Sequence, residues 1–126
     1  MVRKLWLAFS VLLVLCAAAL AEERFGIQVY PGASYDAANS KKKQESMAID
    51  GLEVAKIADF TTNDSVAKVV TFYKTQPGLK LMGNATNEGA MFRKDKTDVT
   101  IQNPWMDMTT GKMMANTLIS IVQQKK

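Results

Sequence analysis

The sequence predicts an α+β fold: an antiparallel sheet of about five strands with one amphipathic helix packed on one face, as a two-layer sandwich. Three observations lead to this class. Apolar and polar residues alternate in several short segments, as in half-buried strands. One segment instead repeats with the helical period. The connections between the later strands are short, whereas a parallel return needs roughly a dozen residues or more.

The predicted helix begins after the polar run 62–65 and ends after Lys74. Residues 62–65 are typical of a helix N-terminus with an acid in the first turn. The apolar stripe repeats at i, i+3, i+4 and i+7 and comprises Val66, Val69, Val70 and Tyr73. Pro77 and Gly78 are unfavourable inside a helix and common just after one, so they mark its end.

The remaining apolar patterns predict strands separated by turns. The predicted strands are 25–30, a segment near 47–60, 79–81, 90–93, 99–102 and 117–122. In the second of these, Ile57 is the exception to the alternation. Residues 33–46 are polar and small, which predicts a loop or an irregular, solvated strand. The lysine run 41–43 within them is interpreted as a solvated face.

The first 21 residues are typical of a secretory signal peptide. Arg3 and Lys4 precede a mostly apolar stretch, and the small-x-small site 19–21 is followed at once by the acid Glu22. The apolar stretch 5–21 is shorter than the roughly 20 residues of a typical membrane span. Cleavage after Ala21 would leave one domain, residues 22–126, with no membrane span and a periplasmic or secreted location.

Cys16 allows an alternative, because a lipoprotein signal ends in a cysteine that becomes the lipidated first residue. Such signals normally carry a small residue before the cysteine, and here that residue is Leu15. Lipidation at Cys16 would anchor the protein to a membrane.

Charge and composition exclude several classes of function. The chain has 16 basic residues, of which Arg3 and Lys4 lie in the signal, and 12 acidic residues that all follow it, so residues 22–126 carry a net charge of +2. This bias is too small to indicate nucleic acid as a partner. An envelope protein or a small ligand remains as the expected partner.

The side chains needed for common catalytic sites are missing. The chain contains no histidine, and its one cysteine, Cys16, lies in the predicted signal. The sequence therefore offers no triad, no thiol nucleophile and no thiolate metal site. The acids are scattered, and no phosphate-binding loop or calcium loop is present. We expect no catalytic residue, no cofactor and no enzymatic activity.

One segment, residues 104–114, is unusually rich in methionine. It contains Trp105, Met106, Met108, Met113 and Met114. If it forms a hairpin, residues 107–112 would be its tip and Met106 would face Met113. Three interpretations stay open. The loop could pack on a sheet edge, since methionine fills irregular gaps. It could instead be a partner surface formed by Trp105, Met106 and Met108.

The third interpretation is a soft-metal site for Cu(I) or Ag(I), because thioethers select such ions. The ligands would come from Met106, Met108, Met113 and Met114, with the Trp105 ring against the ion. The order Trp105-Met106-x-Met108 is similar to the tryptophan and Met-x-Met ligands of periplasmic copper-binding proteins of the Cus efflux type. Those proteins also use a histidine and a β-barrel fold.

Three further segments resemble a pattern in small, uncharacterised exported bacterial proteins. The segments are the Y-P-G-A run at 30–33, the run ending T-N-D-S at 60–65, and the run ending F-Y-K at 69–74. The resemblance spans most of residues 30–122 and implies the same fold and an envelope location. It implies no function. We therefore expect a non-catalytic exported domain that binds or docks in the envelope, with soft-metal binding as the alternative.

Overall fold

The computed structural model describes residues 22–49 and 54–125, so the predicted signal peptide and Cys16 lie outside the described residues. The helices in this part of the chain are α1, Ala37–Ile49, and α2, Val66–Lys74. The strands are β1 Glu23–Arg24, β2 Ile27–Gln28, β3 Ser34–Tyr35, β4 Val54–Thr62, β5 Lys80–Met82, β6 Gly89–Lys94, β7 Thr97–Gln102, β8 Trp105–Met106, β9 Met113–Met114 and β10 Thr117–Gln124. Neither helix is long and apolar enough to cross a membrane.

The main sheet has six strands in the order β3-β4-β10-β7-β6-β5, and each neighbouring pair is antiparallel. The β1–β2 and β8–β9 pairs are separate hairpins within the described chain. Strand β10 comes last in sequence but lies in the middle of the sheet, between β4 and β7. The predicted α+β class, with a helix packed on an antiparallel sheet, is confirmed.

Helix α2 has the predicted extent and the predicted buried face. Ser65 is the N-cap, and its hydroxyl accepts a hydrogen bond of 3.2 Å from the backbone N–H of Lys68. The buried side chains of the helix are Val66, Val69, Val70 and Tyr73. The first turn contains no acid, because Asp64 lies just before the cap.

The main core lies between α2 and one face of the sheet. Phe60, Ile119 and Ile101 lie opposite one another on β4, β10 and β7, and all three are buried. Ile27 on β2 and Val29, just after that strand, extend this core. Burying a side chain of this size stabilises the fold by about 1.5–3 kcal/mol, so this face supplies most of the hydrophobic stabilisation.

Helix α1 packs on the opposite face of the sheet. Its Lys43 contacts both Asp59 on β4, at 2.9 Å, and Ser120 on β10, at 3.2 Å. Asp59 and Ser120 are cross-strand partners. Because successive side chains of a strand alternate between faces, both point away from the face that carries Phe60. Ile57 shares their parity, which explains why this exception to the alternation is buried.

The prediction of a loop or irregular strand over residues 33–46 fits the short exposed strand β3 but is wrong from Ala37 onward, where α1 begins. Asp36 caps this helix, with its carboxylate accepting a 3.0 Å hydrogen bond from the Asn39 backbone. The helix has no apolar stripe and is held by polar contacts to the sheet, so hydrophobic periodicity could not reveal it. The lysine run is divided: Lys41 and Lys42 are exposed as expected, whereas Lys43 is turned inward.

Two strand predictions also need correction. The segment 25–30 is a strand only at Ile27–Gln28, because Phe25 and Gly26 form a tight turn with φ values of 54° and 80°. Such a turn needs positive φ at both central residues, and phenylalanine is uncommon there. The strand expected near 47–60 begins at Val54, since the residues up to Ile49 belong to α1.

Candidate functional site

The methionine-rich segment forms a hairpin. Strand β8 pairs with β9, with Trp105 opposite Met114 and Met106 opposite Met113. The chain reverses over residues 107–112, as expected, and Gly111 has the positive φ (74°) that the reversal requires. The register is therefore the one expected if the segment forms a hairpin.

The tip of this hairpin is closed by local hydrogen bonds to Asp107. Its backbone N–H donates to the Lys112 carbonyl at 2.9 Å, and its carbonyl accepts from Gly111 at 2.8 Å. Its side chain accepts from both the hydroxyl and the backbone of Thr109, at 2.6 and 2.8 Å. The Thr109 hydroxyl is the main cause of the lowered pKa of Asp107. The carboxylate stays charged at neutral pH and keeps the tip ordered.

Trp105 attaches the hairpin to the domain. It is 2% exposed, and its indole N–H donates to the side-chain oxygen of Asn116 at 2.9 Å. A buried tryptophan with a satisfied N–H contributes a large apolar contact area. Trp105 therefore fits the interpretation in which the loop packs on the domain. Its ring does not form part of an exposed contact surface. Met114, its cross-strand partner, is partly buried.

The other three methionines of the hairpin are exposed. Met106 is 54% exposed, Met113 is 59% exposed and Met108 is 37% exposed. We call these three side chains the methionine surface. Of the six exposed large hydrophobic side chains in the described residues, five are methionines. The two exposed methionines outside the methionine surface are Met82 and Met91, which form a second cross-strand pair on β5 and β6.

A buried polar network holds the hairpin tip against α1. The Met108 backbone N–H donates to the Asn39 side-chain oxygen at 2.8 Å, and the amide nitrogen of Asn39 donates to Asp59 Oδ2 at 2.6 Å. Lys43 contacts the same carboxylate oxygen, and Asp59 is fully buried. Asp59 Oδ1 has no hydrogen-bond partner among the described residues. The methionine surface thus has a fixed position relative to the sheet.

The hairpin geometry divides the predicted soft-metal ligands into two groups. Asp107 and Lys112 are joined by a backbone hydrogen bond. Hydrogen-bonded and non-hydrogen-bonded pairs alternate in an antiparallel ladder, so the next pair, Met106 and Met113, is a non-hydrogen-bonded one. Side chains approach most closely in such pairs. Alternation places Met114 and Trp105 on the other face. Two thioethers can therefore meet at one ion, whereas Met114 and the Trp105 ring cannot join them there.

The described residues offer little other ligand chemistry. No group of three histidine, cysteine, aspartate or glutamate side chains within 22–49 and 54–125 could hold a metal ion. The methionine surface can therefore make apolar contacts or bind a soft ion through thioethers.

A groove that the sequence analysis did not identify lies beside α2. It has a volume of about 650 Å³ and is lined by Tyr30, Pro31, Asp64, Ala67, Lys68, Thr71 and Phe72. We call it the tyrosine groove. Five of these seven residues come from the three segments 30–33, 60–65 and 69–74. Those segments were interpreted as a turn, a cap and a helix face, and their convergence depends on the fold.

Comparisons with known proteins do not identify the chain. No family model matches the sequence, and no curated protein and no solved structure matches it significantly.

Proposed function

We propose that this protein is a non-catalytic, exported docking module that binds an envelope protein through the methionine surface. The observation that carries the proposal is the exposure of Met106, Met108 and Met113 on a hairpin that Trp105 anchors in the domain. Exposed clusters of large apolar side chains mark interaction sites more often than isolated ones do. Methionine is enriched at interfaces and adapts its shape to the partner.

The order of the hairpin favours binding. Asp107 closes the tip, and Asn39 holds the backbone of Met108. A loop that is ordered before binding loses less conformational entropy when the complex forms. The methionine side chains supply the remaining adaptability.

Charge around the hairpin indicates the chemistry of the partner. Lys112 is exposed at the tip, and Lys41 and Lys42 are exposed on α1. The Met108–Asn39 hydrogen bond places this part of α1 beside the hairpin. We infer a protein partner that presents apolar side chains flanked by acidic ones, because opposite charges at the rim favour encounter and register.

A capture experiment with matched variants tests docking. Immobilised wild-type protein, a Met106→Ser/Met108→Ser/Met113→Ser variant and a Met82→Ser/Met91→Ser control are each exposed to envelope extract. The control removes methionines of similar exposure, 41% and 38%, from another surface. We expect a protein that wild type and control retain, that the hairpin variant loses, and whose capture weakens with salt. Equal capture by all three would refute the proposal.

Export is the second part of the proposal and has its own test. The signal pattern at 1–21 supports a mature N-terminus at Glu22. Intact-mass measurement of the protein from the cell envelope should give the mass of a chain beginning there. A mass that matches a chain beginning with diacylated Cys16 would place the protein on a membrane instead.

Soft-metal binding is a second candidate, favoured by the direct opposition of Met106 and Met113. The probe is Ag(I), followed through the methionine ε-methyl NMR signals of the purified protein. Binding should saturate at one equivalent and vanish in a Met106→Leu/Met113→Leu variant, because leucine keeps the apolar bulk and removes the sulfur. A Met82→Leu/Met91→Leu variant should retain it. No saturable shift of the two hairpin signals would exclude this candidate.

A further inference from the structure

The tyrosine groove carries an inference that is independent of the methionine surface. The groove lies beside α2, on the face of the sheet that holds the main core, whereas the hairpin contacts α1 on the opposite face. Its volume of about 650 Å³ falls in the range of small-molecule sites. The proposed docking function does not use this groove.

One wall of the groove is an ordered aromatic pair. The Tyr30 and Phe72 rings meet edge to face, with centroids 5.4 Å apart and an interplanar angle of 89°. The Tyr30 hydroxyl donates a 2.5 Å hydrogen bond to Asp64 Oδ2. Both rings are only partly buried, so they present apolar surface to the groove. Pro31 adds a rigid apolar residue beside them.

The groove also presents two opposite charges. Asp64 lies two residues before α2, and Lys68 lies in its first turn, four residues further along the chain. Among the described residues, no ion pair joins these two side chains, and Lys68 is exposed. The hydrogen bond to Asp64 raises the pKa of Tyr30, so its hydroxyl remains a donor at neutral pH.

We propose that the tyrosine groove binds a small zwitterion with an apolar side chain, of the class of aromatic and large aliphatic α-amino acids. The Asp64 carboxylate faces the ammonium group, and the aromatic rings add a cation–π attraction. Lys68 pairs with the carboxylate of the ligand. The apolar side chain packs against Pro31 and Phe72. A ligand with only one of the two charges would leave the other charged side chain of the groove unpaired.

The test is an NMR titration of the purified protein with L-phenylalanine, using 3-phenylpropionate and phenethylamine as analogues that lack one charge. We expect saturable shifts at the backbone amides of Lys68 and Thr71 at millimolar ligand. Each analogue should bind at least about tenfold more weakly, the effect of losing one charge-assisted hydrogen bond. Equal binding of all three compounds, or no saturable shift, would overturn the proposal.

Matched variants separate the two charges of the groove. Asp64→Asn keeps an acceptor for Tyr30 and removes the charge, and Lys68→Gln removes the cation. Each should weaken L-phenylalanine binding by about tenfold. Lys74 is an exposed lysine on α2 that does not line the groove. The Lys74→Gln variant should therefore bind L-phenylalanine as wild type does. A loss of equal size in Lys74→Gln would show that general charge, rather than this groove, governs binding.

Discussion

The buried ion pair between α1 and the sheet gives the sharpest prediction of stability. Lys43 Nζ lies 2.9 Å from Asp59 Oδ2, and the two side chains are 20% and 0% exposed. Lys43→Met would leave the Asp59 carboxylate buried, and Oδ2 would then accept only the hydrogen bond from Asn39. Removing one partner of a buried pair costs about 3–5 kcal/mol. Because Asn39 remains and Lys43 is partly exposed, we expect about 2–3 kcal/mol.

Urea unfolding measures this loss as a change in the free energy of unfolding. The matched control is Lys42→Met, because Lys42 is the neighbouring lysine of α1 and is exposed. The control should change stability by less than about 0.5 kcal/mol. Adding Asp59→Asn to Lys43→Met should restore part of the loss, since the charge that lacks a partner is then removed. If Lys43→Met and Lys42→Met unfold alike, the ion pair does not stabilise the fold.

Two further predictions concern α2 and the tyrosine groove. Val69→Ala should lower the free energy of unfolding by about 1–3 kcal/mol because Val69 is fully buried. Lys68→Ala should leave it unchanged. Equal losses in the two variants, measured by urea unfolding, would contradict the helix register. The hydrogen bond to Asp64 raises the pKa of Tyr30 above its ordinary value of 10.0. This bond therefore stabilises the fold fully below pH 10.0, and the stabilisation is lost as the pH rises through the raised pKa. Tyr30→Phe should therefore reduce stability by about 1 kcal/mol at neutral pH and flatten the alkaline loss seen by circular dichroism, and an unchanged pH profile would show that Asp64 does not act on Tyr30.

Helix α1 and the groove show where the sequence was insufficient. Helix α1 is anchored by Asn39 and Lys43 to a buried acid, so its inward face is polar and hydrophobic periodicity could not detect it. The tyrosine groove joins Tyr30 to Asp64, 34 positions further along the chain. No local pattern predicts that these two side chains meet.

The hairpin shows the same division within one segment. Met106 was expected to face Met113 if the segment formed a hairpin, and the register shows that it does. Which side chains would be buried was not predictable, because methionine and tryptophan suit both a core and a surface. Trp105 is the side chain that is buried, and its indole N–H is paired with Asn116.

The sequence by itself determined the α+β class, the extent and buried face of α2, and the strands β5, β6, β7 and β10. These features depend on interactions between residues close in the chain: helical and strand periodicity, an N-cap, and turn residues. The tertiary structure alone decided that α1 exists, that Lys43 points inward to Asp59, and that Tyr30 and Asp64 line one groove. Those features depend on which distant side chains meet when the sheet assembles, and only the folded chain contains that information.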